Sequence, residues 1–342
     1  MKIIDLRSDT VTLPTQEMLQ AICNTDLGDD VYQEDPTTNR LENLAAERMG
    51  KEAALLVASG TMGNLVSLLT HCRRGEEVIL GNRSHTFIYE AGGMSALGGI
   101  HPHTVDNQPD GTMQPEEIEL AIRSDNIHFP RTRLICLENT HNYCGGTALT
   151  VQYMEEVAAL ARKHSLQVHL DGARIFNAAV ALGVDVKELI HHVDSVSFCL
   201  SKGLAAPVGS VICGSSNFIA EARRNRKALG GGMRQCGIIA AAGIIALEQM
   251  VERLALDHAN ARRLAEGIAE IPYLSIDLDK VQTNILYFNL NSEKITTGTL
   301  VQLLANDGIK ISSSGPTRLR AVTHYGISSK DIDVTLKVLQ KT

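Results

Sequence analysis

No two cysteines in this chain stand at a CxxC spacing, and the seven present (Cys23, Cys72, Cys136, Cys144, Cys199, Cys213 and Cys236) are scattered and odd in number. That pattern argues against a zinc site or a disulfide framework and implies reduced thiols in a cytoplasm. An excess of positive charge is also lacking. Thirty-two Lys and Arg stand against 39 Asp and Glu, a net charge of −7. Nucleic-acid binders usually carry a basic face, so this class is disfavoured. Long hydrophobic runs are missing too: the longest, Gly237 to Leu247, is too short to cross a bilayer and reads as a buried helix. The opening Met1-Lys-Ile-Ile-Asp5 breaks into charge too soon for a signal peptide. Internal repeats, low-complexity segments and Pro/Ser-rich linkers are absent. What is left is a soluble, cytoplasmic, enzyme-like composition, 44% hydrophobic and 21% charged over 342 residues. That length holds one large domain and a smaller one.

From about residue 51 to 250, short apolar runs alternate with helical patterns, which predicts βαβ units and a mainly parallel sheet. The strands are expected at Ala53–Ala58, Glu77–Gly81, Thr132–Glu138, Leu166–Asp171, Ser195–Leu200 and Gly209–Cys213. Helices are expected at Asn64–Cys72, Pro115–Ser124, Val151–His164 and Ile238–Asn260. Val151, Met154, Val157, Ala158 and Ala161 repeat at the spacing of one buried stripe. Beyond residue 260 the pattern becomes α+β. Strands are expected at Ile285–Leu290, Ile309–Ser312 and Arg318–Thr323, and helices at Thr297–Asn306 and Ser329–Leu339. The expected organisation is an N-terminal segment (1–50), a large α/β domain (51–255) and a small α+β domain (256–342), with a ligand cleft where the last two meet.

Two strand ends carry the chemistry. The run Ser195–Leu200 closes on Ser201-Lys202-Gly203, and Leu166–Leu170 closes on Asp171-Gly-Ala-Arg174. In α/β proteins the C-terminal ends of neighbouring strands converge on the ligand crevice. A lysine, a carboxylate and a cation meeting there form the set that pyridoxal phosphate requires: an amine to bond it, an acid opposite its ring nitrogen, and a donor near its ring oxygen. Each residue also has a plainer reading. Lys202 alone would be a solvated loop cation, Asp171 a turn or helix-cap aspartate, and Arg174 a structural partner of a carboxylate.

A phosphate would sit at Ser59-Gly60-Thr61, where a strand gives way to a helix whose free N–H groups favour an anion. Gly60 permits close approach, Thr61 adds a hydroxyl, and Ser201 is a further contact. The plain alternative is an ordinary Ser/Gly turn. His85 lies just past the strand ending at Gly81, placed to stack on a ring or move protons; His128 and His141 are weaker candidates of the same kind. A substrate carboxylate calls for an arginine. Arg318 and Arg320 share one strand face, and Ser8 offers a hydroxyl. Gly230-Gly-Gly-Met-Arg234 reads as a flexible turn or a phosphate wrap, while Gly28-Asp-Asp-Val-Tyr32 has no internal explanation.

These segments, in this order, resemble those of the low-specificity L-threonine aldolases, pyridoxal-phosphate enzymes of fold type I. The matching stretches span nearly the whole chain: residues 5–12, 28–32 with Asp35-Pro36, 50–54, 138–142, 171–177, 200–204, 230–235 and 320–324. The resemblance implies a mainly parallel large domain with a smaller α+β C-terminal domain. It also implies pyridoxal 5'-phosphate as cofactor, no metal, and reversible cleavage of L-threonine, L-allo-threonine and related β-hydroxy-α-amino acids to glycine and an aldehyde. Lys202 would then hold the cofactor, His85 stack on it, Asp171 pair with its nitrogen and Arg174 approach its ring oxygen. Gly60, Thr61 and Ser201 would bind phosphate, with Arg234 reaching in from a neighbouring subunit. Ser8 and Arg320 would hold the substrate carboxylate, with Tyr89 and a partner's Tyr32 near the substrate. A homotetramer built from dimers with shared sites is implied. The base for the β-hydroxyl stays open between His85, His128 and a water molecule. Residues Tyr143–Thr150 depart from the proline-containing loop of many relatives. Two alternatives remain: another fold type I lyase performing β-elimination, and a non-catalytic regulatory homologue.

Overall fold

Strand register places the chemistry. In the computed structural model, which describes residues 2–341, a short strand β1 (Ile4–Asp5) precedes seven that share one sheet. These are β2 (Ala53–Val57), β3 (Glu77–Gly81), β4 (His101–Val105), β5 (Thr132–Glu138), β6 (Gln167–Asp171), β7 (Ser195–Cys199) and β8 (Ser210–Gly214). Their order across the sheet is β2-β8-β7-β6-β5-β3-β4. Only β8 runs against its neighbours; β3 through β7 pair in parallel. The interior strands are buried on both faces, which is why they read as near-continuous apolar runs. The fold class is α/β with a mainly parallel central sheet, as expected.

The last part of the chain builds a second sheet and a second core. Strands β9 (Leu274–Ser275), β10 (Ile285–Leu290), β11 (Ile309–Lys310), β12 (Ser312–Ser313) and β13 (Arg318–Val322) follow one another. The four-stranded sheet runs β12-β13-β10-β9, and β1 pairs in parallel with β11. Leu6, Leu286, Phe288, Leu300, Leu304 and Leu319 share the core beneath it. The N-terminal segment is therefore stitched to the C-terminal sheet.

Three expectations change. The helix expected over Ile238–Asn260 is two, Gly237–Gln249 and Leu254–Ala269. Ala240, Ala242, Ile244 and Leu247 join the main core, whereas Ala261, Leu264 and Ile268 join the second, so one straight rod does not serve both. The strand expected over Ile309–Ser312 divides because its two ends pair with different partners, β1 and β13. Strand β4 lacked a sequence signal: it is the half-exposed edge His101-Pro-His-Thr-Val105, with polar residues on both faces.

Three histidines, His169 buried and His71 and His258 part-buried, are held in the neutral form. Burial lowers His71 to about 3, with His169 repelling it, and lowers His169 and His258 each to about 4. Each folded value lies below the unfolded one of about 6.5, so the unfolded chain binds the extra protons as pH falls. Their contribution is complete above about pH 6.5 and drains away toward pH 4. Urea denaturation at pH 7 and pH 5 should show a loss of about 1–2 kcal/mol per histidine. A flat stability profile over that window would show that the three rings are not neutral in the fold.

Candidate active site

The C-terminal edge of the main sheet is where the sequence-expected residues gather. Asp171 ends β6, its register partner Glu138 ends β5, and Lys202 follows β7 by three residues. His85 begins a short helical turn four residues beyond β3. Arg320, on β13, approaches from the second sheet. Ser8, His85, Tyr89, Arg174, Lys202 and Arg320 line a single cavity of about 330 Å³.

Within it the lysine is available. No side-chain hydrogen bond involves the Lys202 amine among the described residues, while its carbonyl is fixed by the Thr12 hydroxyl at 3.1 Å and the Ala205 N–H at 2.8 Å. Arg320 is held but not neutralised. Its Nη2 donates to Asn142 Oδ1 at 2.8 Å and its Nη1 to the Arg7 carbonyl at 3.2 Å, both uncharged acceptors. Its buried Nε has no partner. Burial, with repulsion from Arg174, lowers the proton affinity of this guanidinium. A buried cation facing a cavity without a counter-ion is a site for an anion. Arg318 is differently used: it stacks 3.7 Å above the Tyr287 ring, lies 5.2 Å from Tyr143, and donates to the Tyr143 carbonyl at 3.0 Å.

Arg174 faces Asp9, not Asp171. Its Nε and Nη2 donate to the two Asp9 oxygens at 2.7 and 2.6 Å, a bidentate pair with both residues buried. Burial opposes the Asp9 charge, but Arg174, Lys202 and Arg320 outweigh it and hold its carboxyl below the usual range. Asp171 is instead fixed by Asn64 Nδ2 at 2.8 Å and the Ala173 N–H at 3.0 Å.

His85 is anchored at one nitrogen. Nδ1 lies 2.9 Å from Glu90 Oε1, which also accepts from Asn64 Nδ2 at 2.8 Å. With Oε1 already an acceptor, the imidazole donates, and Nε2 is left for the cavity. Burial disfavours the imidazolium, yet the Glu90 hydrogen bond and the charges of Asp171, Glu90 and Glu138 raise the His85 pKa. Burial and the nearby Asp171 charge likewise raise Glu90, against the His85 and Asn64 hydrogen bonds. Ligand atoms of His85, Glu90 and Asp171 lie within 4.8 Å of one another. Glu138 accepts from the His85 N–H at 2.6 Å and the Asn142 N–H at 2.8 Å, so one carboxylate sets both His85 and the Arg320 anchor.

The turn that opens the helix Gly60–His71 lies against the end of β7 and is not among the residues that line the Lys202 cavity. Ser59 caps the helix Gly60–His71 by accepting from the Met62 N–H, leaving the first N–H groups, at Gly60 and Thr61, without intrahelical acceptors. A Cβ at Gly60 would come within 2.9 Å of Cys199 Sγ, so only glycine lets the backbone press against the end of β7. The buried Ser210 hydroxyl nearby has no hydrogen-bond partner.

His128, Tyr32, Arg234 and His141, four of the expected residues, do not line this cavity. His128 is exposed in the loop before β5, at the opposite edge of the sheet from Lys202, and is a correction to any role in this chain's own cavity. Tyr32 is 72% exposed, and Arg234 pairs with Asp29 at 3.1 Å, away from the cavity. His141 is buried with both ring nitrogens unpartnered.

Comparison with known proteins fits this geometry. Residues 5–291 match the model of the beta-eliminating lyase family. The chain belongs to that family. Among its members, a probable low-specificity L-threonine aldolase 2 of Arabidopsis thaliana is 51% identical over 100% of this chain and 97% of the relative. The low specificity L-threonine aldolase of Escherichia coli K12 is 46% identical over 96% of each. The lyase fold extends to solved structures: a Leishmania major threonine aldolase superposes with a TM-score of 0.84 at 20% identity, covering 99% of both chains. A Sphingomonas wittichii serine palmitoyltransferase superposes at 0.78 with 18% identity, covering 99% of this chain and 86% of that one.

Asp9→Ala should lower the unfolding free energy by about 3–5 kcal/mol, because it strands a buried guanidinium. Replacing Asp9 and Arg174 together with leucines should cost less than Asp9→Ala alone. Urea denaturation of both variants measures this, and a double variant that loses more than Asp9→Ala alone would show that no stranded charge penalises the single variant.

Proposed function

We propose that this chain is a low-specificity L-threonine aldolase: with pyridoxal 5'-phosphate bound, it cleaves L-threonine, L-allo-threonine and related β-hydroxy-α-amino acids to glycine and an aldehyde. The observation that carries the reading is the part-buried Arg320, which no salt bridge neutralises and whose Nε is unpartnered among the described residues, facing the same cavity as the unpaired Lys202 amine. An amino-acid carboxylate would satisfy the first, and the second would hold the cofactor. The residues fit the cofactor: an amine, an acid at the end of β6, and a capped helix N-terminus closed by Gly60 beside β7.

Bound, the cofactor supplies an electron sink for the pair released when the Cα–Cβ bond breaks. The protein does the rest. Lys202 would hold the cofactor; Gly60, Thr61 and Ser201 would take its phosphate, and Asp171 would pair with its ring nitrogen. Arg174, already committed to Asp9, would offer its remaining N–H groups to the ring oxygen. Arg320 and Ser8 would hold the substrate carboxylate and so fix which bond at Cα is offered for cleavage. His85 would stack on the ring, with its Nδ1–H kept on Glu90 and Nε2 free to take the β-hydroxyl proton. Tyr89, whose ring centroid is 5.5 Å from that of His85, walls the substrate side.

The same reading treats 51–255 as the cofactor-binding domain and 256–342 as the small domain, with the N-terminal segment closing the site. It places the enzyme in the cytoplasm; no helix among the described residues is long and apolar enough to cross a membrane. It makes the enzyme a homotetramer, a dimer of dimers, in which the exposed Tyr32 and Arg234 serve a neighbour's site.

The test is an absorbance spectrum of the purified holoenzyme before and after L-threonine, with acetaldehyde assayed in the same cuvette. Release of acetaldehyde with a spectral change is the expected result. Ammonia and a keto acid instead would make it a β-eliminating lyase, and a spectral change without product would make it a regulatory homologue. Lys202→Ala should abolish turnover. Arg320→Ala should raise KM for L-threonine about 10- to 100-fold, the worth of hydrogen bonds to a charged group; unchanged kinetics would move the carboxylate elsewhere. Because its neighbours raise the His85 pKa, kcat should climb with pH through a midpoint above about 6.5. Glu90→Gln should move that limb downward, and a limb that does not respond would remove His85 as the base.

A further inference from the structure

The mechanism above leaves unused a seam of polar residues buried between the main sheet and the helix Gly60–His71. His169 and Asp171 alternate on one face of β6, and their register partners on β7 are Ser195 and Ser197. Facing them, seven residues apart on one side of the helix, are Asn64 and His71. Asn64, Ser195, His169, Ser197 and Asp171 are all at most 2% exposed. An interior position of this kind is normally apolar, because burying polar groups costs stability unless every one is satisfied.

Here every one is satisfied, and the directions can be read. His71 Nε2 lies 2.7 Å from Ser195 Oγ, which lies 2.8 Å from His169 Nδ1. His169 Nε2 lies 3.3 Å from Asn64 Oδ1, and Asn64 Nδ2 donates to both Asp171 and Glu90. Two carboxylates on one side of Asn64 require its NH₂ there. Its Oδ1 therefore faces His169 and can only accept a hydrogen bond, as it does from the Ser197 hydroxyl at 2.6 Å. His169 is a neutral ring, so Nε2 carries its single hydrogen and Nδ1 is a lone pair. Ser195 must then donate to Nδ1, which leaves its oxygen to accept from His71 Nε2–H. Each group donates to the next, in one direction only.

We propose that His71, Ser195, His169 and Asn64 form a one-way donor chain that fixes the orientation of the Asp171 carboxylate toward the place a cofactor ring would take, and that these four are positioning residues for the reaction. The proposal rests on the aldolase reading only for what Asp171 serves. The need for it is visible in the surroundings. Asp171, Glu90 and Glu138 all act on the buried Cys136 thiol and raise its pKa, so three carboxylates crowd one region. Mutual repulsion favours protonating one of them, and His85 is already engaged with Glu90. Donors aligned toward Asp171 counter that repulsion, and aligned hydrogen bonds polarise one another. The chain does not conduct protons, because the Asn64 amide interrupts it. Its outer end, His71, borders a second cavity of about 580 Å³ at the other edge of the sheet and stacks on Phe218 at 4.7 Å.

The decisive measurement is ¹⁵N NMR of the histidine rings in the holoenzyme at pH 7. His169 and His71 should both be neutral with hydrogen on Nε2; a hydrogen on Nδ1 of His169, or an imidazolium, overturns the direction and the proposal. No turnover is needed, so failure of the aldolase assay would leave this readout intact. Ser195→Ala breaks the chain two links from Asp171 while leaving the Asp171 contacts in place. It should lower kcat about five-fold, one net hydrogen bond's worth, with KM for L-threonine unchanged and a shifted cofactor absorbance band. Ser195→Thr restores the hydroxyl and should restore both. A Ser195→Ala enzyme that loses thermal stability but keeps kcat and spectrum would show the seam to be structural only.

Discussion

The Asp9–Arg174 ion pair is the interaction on which the site depends. Asp9 comes from the N-terminal segment, Arg174 follows β6, and Asn284, just before β10, donates to the same carboxylate at 3.2 Å. Three remote stretches therefore meet at one buried charge. Without Asp9, Arg174 would repel Arg320 across the cavity with nothing to offset it. With it, both arginines keep a carboxylate that acts on them, and Arg320 still forms no salt bridge of its own among the described residues. Buried pairs are weak contributors to net stability, since desolvation consumes most of their attraction. Their value is in fixing a geometry, and here that geometry is the joint between the two sheets.

The main sheet was legible because parallel strands buried on both faces leave an unmistakable apolar signature; Glu77–Gly81 and Thr132–Glu138 end where the sequence pattern ends. The edge strand His101–Val105 was invisible because edges need no apolar alternation. The helix break after Gln249 was invisible as well, because no Gly or Pro marks it and two different cores cause it. Lys202, Asp171, His85 and Arg320 stood out since each is a charged or titratable residue at a strand end or on a strand facing the cleft. The positioning set did not. Asn64 lies in an apolar helix, Glu90 five residues from a more conspicuous histidine, and Asp9 beside the serine that drew the eye. Only the fold shows that Asn64 touches two carboxylates from different elements. Arg174 could be recognised but not its partner, because nothing local links residue 174 to residue 9.

A polar seam through the middle of an α/β core runs against the rule that made the strands readable. On β6 the residues facing the helix are His169 and Asp171, while Val168 and Leu170 on the other face join the apolar core. The sheet thus has one face built for packing and, along two strands, another built for electrostatics. The helix covering the second face matches it residue for residue, presenting Asn64 and His71 where Leu65 and Leu68 would pack elsewhere.

The pairing of β1 with β11 sets an order of assembly. Ile4 and Asp5, made about three hundred residues before their partners, have no strand to join until Ile309 and Lys310 leave the ribosome. Ser8 and Asp9 lie just beyond β1, so they too wait. The central sheet can close while the nascent chain still grows, since its strands are all complete by residue 214. The cavity is therefore finished by its oldest residues arriving last. A chain cut short before residue 309 would hold a folded sheet with no wall on the substrate side, and would be inert until its end was made.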